Sequence, residues 1–321
     1  MKRLFANIIY ALLYLLSLMP LRVHYVFSDV IYLLVYRVVG YRKKVVRKNL
    51  NNSFPQKSDD EIHQIERQFY HWLCDYFVET VKMMTMSKEE IKRRITFENC
   101  EIVNEAIEEG QSCALYLGHY CNWEWVTTLP FWLSEKGLCG QIYHPLENHE
   151  ADRIFLKVRQ RWGAKCISMA ETMRYIVNCK QKGKPVVIGY ISDQVPFWNN
   201  IHHWCQFLNQ DTPVLTGTER LVRKLGHAAF YLELTRLRRG YYKGEFKLMT
   251  RTSQELKEYE LTDIYFHMLE QNIIRAPQYW LWTHNRWKRT HEEYNLRFDE
   301  ATGKLDIVSS VEQLKQKKGV K

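Results

Sequence analysis

The stretch of this 321-residue chain best equipped for chemistry is Leu117-Gly118-His119-Tyr120-Cys121-Asn122-Trp123-Glu124. A short apolar run, Ser112 to Leu117, stops at a glycine that permits a sharp turn, so His119 falls at the C-terminal edge of a predicted strand. Open α/β sheets bind ligands at that edge. Imidazole titrates near neutrality, so a histidine there can act as general base on a hydroxyl. Glu124, near the start of the next predicted helix, can accept from the other ring nitrogen, fix the tautomer and offset the imidazolium charge. The same histidine also reads as a satisfied core or capping residue, or as a metal ligand. The i, i+5 spacing argues against the metal, because it does not set two ligands on one helical face as H-E-x-x-H does.

The elements that must hold this site follow from patterning. Ser58 with Glu61 and Ser87 with Glu90 are capping-box signatures. The first opens a helix marked by Ile62, Ile65, Phe69, Trp72 and Tyr76, and the second a short helix through Ile95. Another helix is predicted over 97–110, ending at Gly110. Strands follow at 112–117, 139–143, 166–169 and 185–191, the last (P-V-V-I-G-Y-I) reading as a buried strand. Helices are predicted at about 122 onward, 149–162, 171–182 and 214–225, with further strands at 228–237 and 242–250. Such alternation implies an α/β layer with a largely parallel sheet. The last fifteen or so residues read as a solvated tail.

Composition narrows the class. Apolar residues make up 46% and charged residues 26%, a globular balance. The eight cysteines stand singly with no C-x-x-C pair, which excludes a zinc ribbon, a thioredoxin motif and a disulfide scaffold. A net charge of +10 points to an anionic partner: nucleic acid, a membrane surface or an acidic carrier protein. No RNA-recognition motif, zinc finger or helix-turn-helix signature supports nucleic acid. His202-His203-Trp204-Cys205 has no second half to complete a metal site, so no metal is expected.

The N-terminus favours the membrane. Leu4 to Leu21 carries no charge over eighteen residues, roughly 27 Å as a helix. No small-x-small cleavage site follows, so a retained anchor is preferred to a secretory signal. Arg37, Arg42, Lys43, Lys44, Arg47 and Lys48 then form a basic run suited to anionic lipids. The organisation read from these features is an apolar anchor region (1–36), a basic and helical region (37–110), an α/β catalytic domain (111–300) and a polar tail (301–321).

The residues G-H-x-x-N-W-E after a short strand resemble the H-x4-D/E motif of glycerolipid acyltransferases. Most closely they resemble the late (secondary) lipid A biosynthesis acyltransferases. The resemblance continues through Tyr143-His144-Pro145, Arg159-Gln160-Arg161-Trp162-Gly163, Ser192-Asp193-Gln194, Phe207 to Pro213, and Ala276-Pro277-Gln278-Tyr279-Trp280-Leu281-Trp282 with His284 and Arg286, so it spans about 1–290. His144, Asn209 and Gln278 depart from the family's usual residues, which bears on the substrate pocket more than on the chemistry.

The resemblance implies a glycerolipid-acyltransferase-like α/β fold, with a mixed, largely parallel sheet flanked by helices and an N-terminal membrane-anchor helix. It implies transfer of a fatty acyl chain from an acyl carrier protein thioester (or acyl-CoA) to a hydroxyl of a lipid A precursor, with no cofactor. His119 would be the base and Glu124 its orienting partner. Arg159 is the first candidate for the oxyanion, against its reading as a surface arginine. Asp193 and Gln194 form a polar pair at a strand end, against a turn-capping role. Cys121 is read as packing. The implied partners are acyl carrier protein, a lipid A precursor or other glycolipid, and anionic membrane lipids, with the catalytic domain on the cytoplasmic face of a bacterial inner membrane. Alternatives are an acyltransferase acting on a lysophospholipid, aminolipid or other glycolipid, and a non-catalytic basic membrane-binding protein.

Overall fold

The computed structural model describes residues 2–319, with side chains from residue 7 onward, so the charges of Lys2 and Arg3 and the last two tail residues lie outside the described set. In chain order the N-terminal third forms α1 (Lys2–Leu18), α2 (Leu21–Tyr32, continued by a π-helical segment Leu33–Val39), α3 (Lys43–Ser53), α4 (Asp59–Lys82) and α5 (Lys88–Arg94). Next come β1 (Ile95–Glu98), α6 (Cys100–Glu108), β2 (Cys113–Leu117), a 3-10 helix Trp123–Phe131, β3 (Leu138–Tyr143), α7 (His149–Arg159) and β4 (Lys165–Ser168). Then follow α8 (Thr172–Gln181), β5 (Val186–Ile191), a hairpin of β6 (Trp204–Phe207) and β7 (Gln210–Pro213), α9 (Gly217–Leu225), β8 (Ala228–Arg238) and β9 (Tyr241–Thr250). The chain ends with α10 (Glu260–Arg275), α11 (His291–Arg297) and α12 (Val311–Lys318).

Seven strands make one sheet in the order β1-β9-β8-β2-β5-β3-β4. Every neighbouring pair is parallel except β8 and β9, which a two-residue turn joins as a hairpin. The mixed, largely parallel sheet expected from sequence is therefore present. β2 lies centrally and is buried along its whole length, as a parallel strand covered on both faces must be. Its register against β5 pairs Leu117 with Ile191, so the two strands end side by side.

Helix starts follow local chemistry. Ser58 and Glu61 form a complete capping box at α4, and Ser87 accepts from the Glu90 N–H at α5. The helix expected over 97–110 is interrupted: Ile95–Glu98 is instead an edge strand beside β9, and α6 begins at Cys100. Asn99, in the left-handed region, makes the corner between them. The tail also differs from expectation. Ser310 and Gln313 form a capping box that starts α12, and Leu314 is buried. The long helix α10 and the β6–β7 hairpin had no forecast.

The N-terminal apolar region is not one continuous helix. No single helix among the described residues is long and apolar enough to cross a membrane. Pro20, lacking an N–H, ends the first helix, and the pair Asn7–Leu18 and Leu21–Val39 bends by 119°. These helices bury several polar side chains and leave much of their apolar surface exposed. Ser17, His24 and Ser28 are buried against α4, while Leu12, Leu15, Val26, Val30, Leu34, Val38 and Val39 are exposed. Lys82 donates to the carbonyls of Ser17 and Met19 at 3.0 Å, a cation satisfying the end of α1. Arg236 and Arg239 from the β8–β9 hairpin pair with Asp75 of α4, and Arg239 also with Asp29 of α2.

Candidate active site

His119 stands two residues beyond the end of β2, and Asp193 two residues beyond the end of β5. Because these parallel strands run in register, equal offsets past their ends bring the two side chains together. His119 Nδ1 lies 2.5 Å from Asp193 Oδ1, and the His119 backbone N–H donates to Asp193 Oδ2 at 2.9 Å. The indole N–H of Trp280 donates to the same Oδ2 at 2.8 Å. An ionised carboxylate only accepts, so Nδ1 carries the proton and Nε2 keeps a lone pair. Gln194 places its amide nitrogen 3.3 Å from that Nε2. The His119 side chain keeps 19% of its surface exposed.

Burial alone would push the Asp193 carboxyl upward. The charge and hydrogen bonds of His119, with the Trp280 N–H, outweigh it and hold the group at about 2. Asp193 therefore stays ionised and can orient His119 at any physiological pH.

The carboxylate expected to perform that task, Glu124, is engaged elsewhere. Both its oxygens bind Arg159, with Nε to Oε2 at 2.7 Å and Nη2 to Oε1 at 2.5 Å, and the Tyr76 hydroxyl adds a 3.4 Å bond. Both groups sit in largely buried surroundings. Burial would lower the Arg159 guanidinium, but bidentate pairing with Glu124 overrides it and raises it. The reason for the swap is local. Asn122 caps a 3-10 helix with its Oδ1 on the Trp125 N–H, which carries Glu124 toward α7 rather than back to His119. Thus His119, Asp193 and Gln194 form one constellation, and Glu124 with Arg159 a second. Trp123 stands between them in sequence, edge-on to the His119 ring at 5.2 Å and packed against Tyr76 at 4.2 Å.

Two neighbouring segments brace the turn. The Leu281 N–H donates to the His119 carbonyl and the Cys121 N–H to the Tyr279 carbonyl, so the 277–284 stretch is pinned to the loop. From α10, Tyr265 donates to the Leu117 carbonyl at 2.9 Å. Gly118 is required by close approach: a Cβ there would stand 2.5 Å from Leu269 Cδ1 and 3.4 Å from Asp193 Oδ2. Cys121 is fully buried with its thiol pushed up by burial, which suits packing and not nucleophilic attack. His284 Nε2 accepts from the Val195 N–H, and burial, with Arg286 nearby, lowers its imidazole to about 4.

Sequence reading did not assign Trp280 a place on Asp193. The residues are 87 apart, and no local pattern signals the bond. The His202–Cys205 segment is a strand edge: His203 pairs with Asp263 at 2.7 Å and Trp204 stacks on His291. Asp29, His71 and Asp75 lie close enough to share an ion, but Asp75 is already held by Ser28, Arg236 and Arg239, so its lone pairs serve the fold. In the basic run, Arg42 donates to the Thr283 carbonyl and Arg47 pairs with buried Glu66. Lys43, Lys44, Arg47 and Lys48 line an open cleft of about 430 Å³.

An imidazole oriented by a buried carboxylate through Nδ1, with its Nε2 held among the described residues only by the Gln194 amide, is equipped to deprotonate a hydroxyl. Comparison with known proteins points to one enzyme family. The family model for bacterial lipid A biosynthesis acyltransferases matches residues 2–289. The lipid A biosynthesis palmitoleoyltransferase of Escherichia coli K12 is 22% identical over 253 residues, covering 77% of this chain and 79% of that protein. The lipid A biosynthesis acyltransferase of Shigella flexneri is similar to the same extent.

Proposed function

Since the chain belongs to the bacterial lipid A biosynthesis acyltransferase family, and is an acyltransferase, we propose that it moves a fatty acyl chain from a carrier-protein thioester to a hydroxyl of a lipid A precursor. The observation that carries this reading is the His119–Asp193 pair through Nδ1, on a partly exposed ring whose Nε2 is left to the Gln194 amide. The acceptor hydroxyl displaces the Gln194 amide from Nε2 and gives its proton to that nitrogen. Its oxygen attacks the thioester carbonyl, and the tetrahedral oxyanion forms. Asp193 steadies the imidazolium. Collapse breaks the C–S bond, and the departing thiolate takes the proton from His119. No acyl-enzyme is needed.

Arg159 is the proposed oxyanion group. Glu124 uses its Nε and one Nη, which fixes the guanidinium plane and leaves Nη1 free to donate among the described residues. Glu124 thus acts through Arg159, not through His119. The acceptor reaches the site from a membrane in which the outer faces of α1 and α2 lie. α1 borders α7, with Asn7 accepting from Arg153 and Lys157 over the Tyr10 ring, so the apolar face adjoins the helix that carries Arg159. A bent, outward-apolar helix pair with polar groups inward suits lying in one leaflet of the inner membrane, the catalytic body on the cytoplasmic side.

The test is mass spectrometry of lipid A and total lipids from cells lacking the protein, complemented with wild type or His119→Ala. Loss of one acyl chain from lipid A, restored only by wild type, is the expected result. A missing acylated species in another lipid keeps the chemistry and refutes the acceptor. Full restoration by His119→Ala refutes the general-base mechanism.

A further inference from the structure

Glu79 of α4 is completely buried, yet among the described residues it pairs with no cation at hydrogen-bonding distance. It accepts from three side chains on three different elements. Tyr25 of α2 donates to Oε1 at 2.9 Å, while Asn122 and Tyr242 of β9 donate to Oε2 at 2.7 Å. Burying a carboxylate costs free energy that an apolar residue at this position would not incur. What it holds is informative. Asn122 lies three residues after His119 and two before Glu124, and its side chain is used at both ends: Nδ2 on Glu79, Oδ1 on the Trp125 N–H. Between His119 and Asn122, Cys121 takes a left-handed backbone conformation (φ 52°). A non-glycine residue remains there only where its surroundings over-determine it. Two bonds do so here, from the Cys121 N–H to the Tyr279 carbonyl and from Asn122 to Glu79.

We propose that Glu79 is a positioning residue of the active site, clamping Asn122 so that the single turn between His119 and Glu124 aims the base and the Glu124–Arg159 pair together. This rests on the reading of His119 as catalytic. Loss of the clamp frees Asn122, unwinds the cap of the 3-10 helix and lets Arg159 drift with Glu124 relative to the His119 Nε2. Such misplacement lowers turnover more than affinity.

The experiment is steady-state acyl transfer by the purified full-length protein, with kcat and KM measured separately and melting temperatures recorded. Glu79→Leu and Asn122→Ala should each lower kcat by about ten- to a hundredfold with KM within about threefold, and the double variant should be no worse than either. Glu79→Gln should stay within about threefold, since its amide oxygen serves Asn122 and Tyr242 while its NH2 donates to Tyr25. Tyr242→Phe removes a bond to Glu79 without touching Asn122, so it should lower the melting temperature and leave kcat within about twofold. Asn122→Asp sets two carboxyl groups face to face and should lose activity at alkaline pH, where both are ionised, and regain it as pH falls and the pair takes up a proton. Adding Glu79→Gln to it restores a donor–acceptor pair and should restore activity, which a generic stability role does not predict. Multiplicative losses in the Glu79→Leu/Asn122→Ala double, or no rescue of Asn122→Asp, overturn the proposal. Should Glu79→Leu fail to fold, the rescue pair decides. An active His119→Ala would instead remove the underlying mechanism, which separates the two failures.

Discussion

Replacing Asp193 by Asn tests which carboxylate serves His119. In the native site, Oδ2 receives two N–H donors, from the His119 backbone and Trp280, and Oδ1 receives Nδ1–H. An asparagine must keep its oxygen toward the two donors, so its NH2 takes the Oδ1 position and faces Nδ1. That nitrogen must then accept, which moves the ring proton to Nε2 and removes the lone pair the reaction uses. A tautomer error of this kind lowers kcat by about 10³–10⁴, or about 4–5.5 kcal/mol in the transition state. The KM values should change little, because the ring position is preserved. Glu124→Gln, by contrast, leaves the His119 tautomer alone. The assay is the pH profile of kcat for acyl transfer, comparing wild type, Asp193→Asn and Glu124→Gln. An Asp193→Asn enzyme within tenfold of wild type at every pH would refute the reasoning.

Further outcomes follow from the same geometry. Asp193 is held at about 2, against an ordinary 3.8, so its ionised form contributes about 2 kcal/mol of stability that is present above pH 4 and is lost as pH falls toward 2; denaturation of Asp193→Asn across that range should lack this component. Breaking the Glu124–Arg159 pair with Glu124→Gln leaves a largely buried guanidinium without its counter-charge and should cost about 3 kcal/mol, and adding Arg159→Met should recover much of the stability but not the activity. Gly118→Ala drives a methyl against Leu269 and should destabilise by about 1–3 kcal/mol in urea unfolding, with Leu269→Ala in the same chain relieving part of it. Leu15→Glu with Val26→Glu should leave the melting temperature in detergent unchanged and release the protein from vesicles; charge reversal at Lys44 and Lys48, which carry no ion pair among the described residues, should weaken binding to anionic vesicles most at low salt, with the deficit shrinking as salt rises. Unchanged flotation of both variants would place the membrane contact on another face.

What the sequence determined by itself is mostly local. Gly, Pro and capping residues mark element ends because their backbone preferences act within a few residues. The capping boxes at Ser58 and Ser310 are local in the same way, although the polar composition around the second suggests a solvated tail. The apolar run of β5 and the turn at Gly118 were legible for this reason, and so was His119 at a strand's C-terminal edge. The tertiary structure decided the pairings. That β2 and β5 are adjacent and in register depends on chain segments 74 residues apart, and this adjacency gives His119 its carboxylate from Asp193 rather than from nearby Glu124. α10 buries one face at helical spacing, but that face includes Thr262 and Asn272 while Ile274 is exposed on the other, so the apolar pattern is blurred. The N-terminal helices show the converse. Their apolar composition was plain, but only packing reveals that Ser17, His24 and Ser28 point into the body while Leu12, Leu15, Val26 and Val30 point out. A linear count of charges cannot distinguish that arrangement from a straight span. The orientation is fixed by Pro20 and by polar partners on α4 far along the chain, and those are properties of the fold.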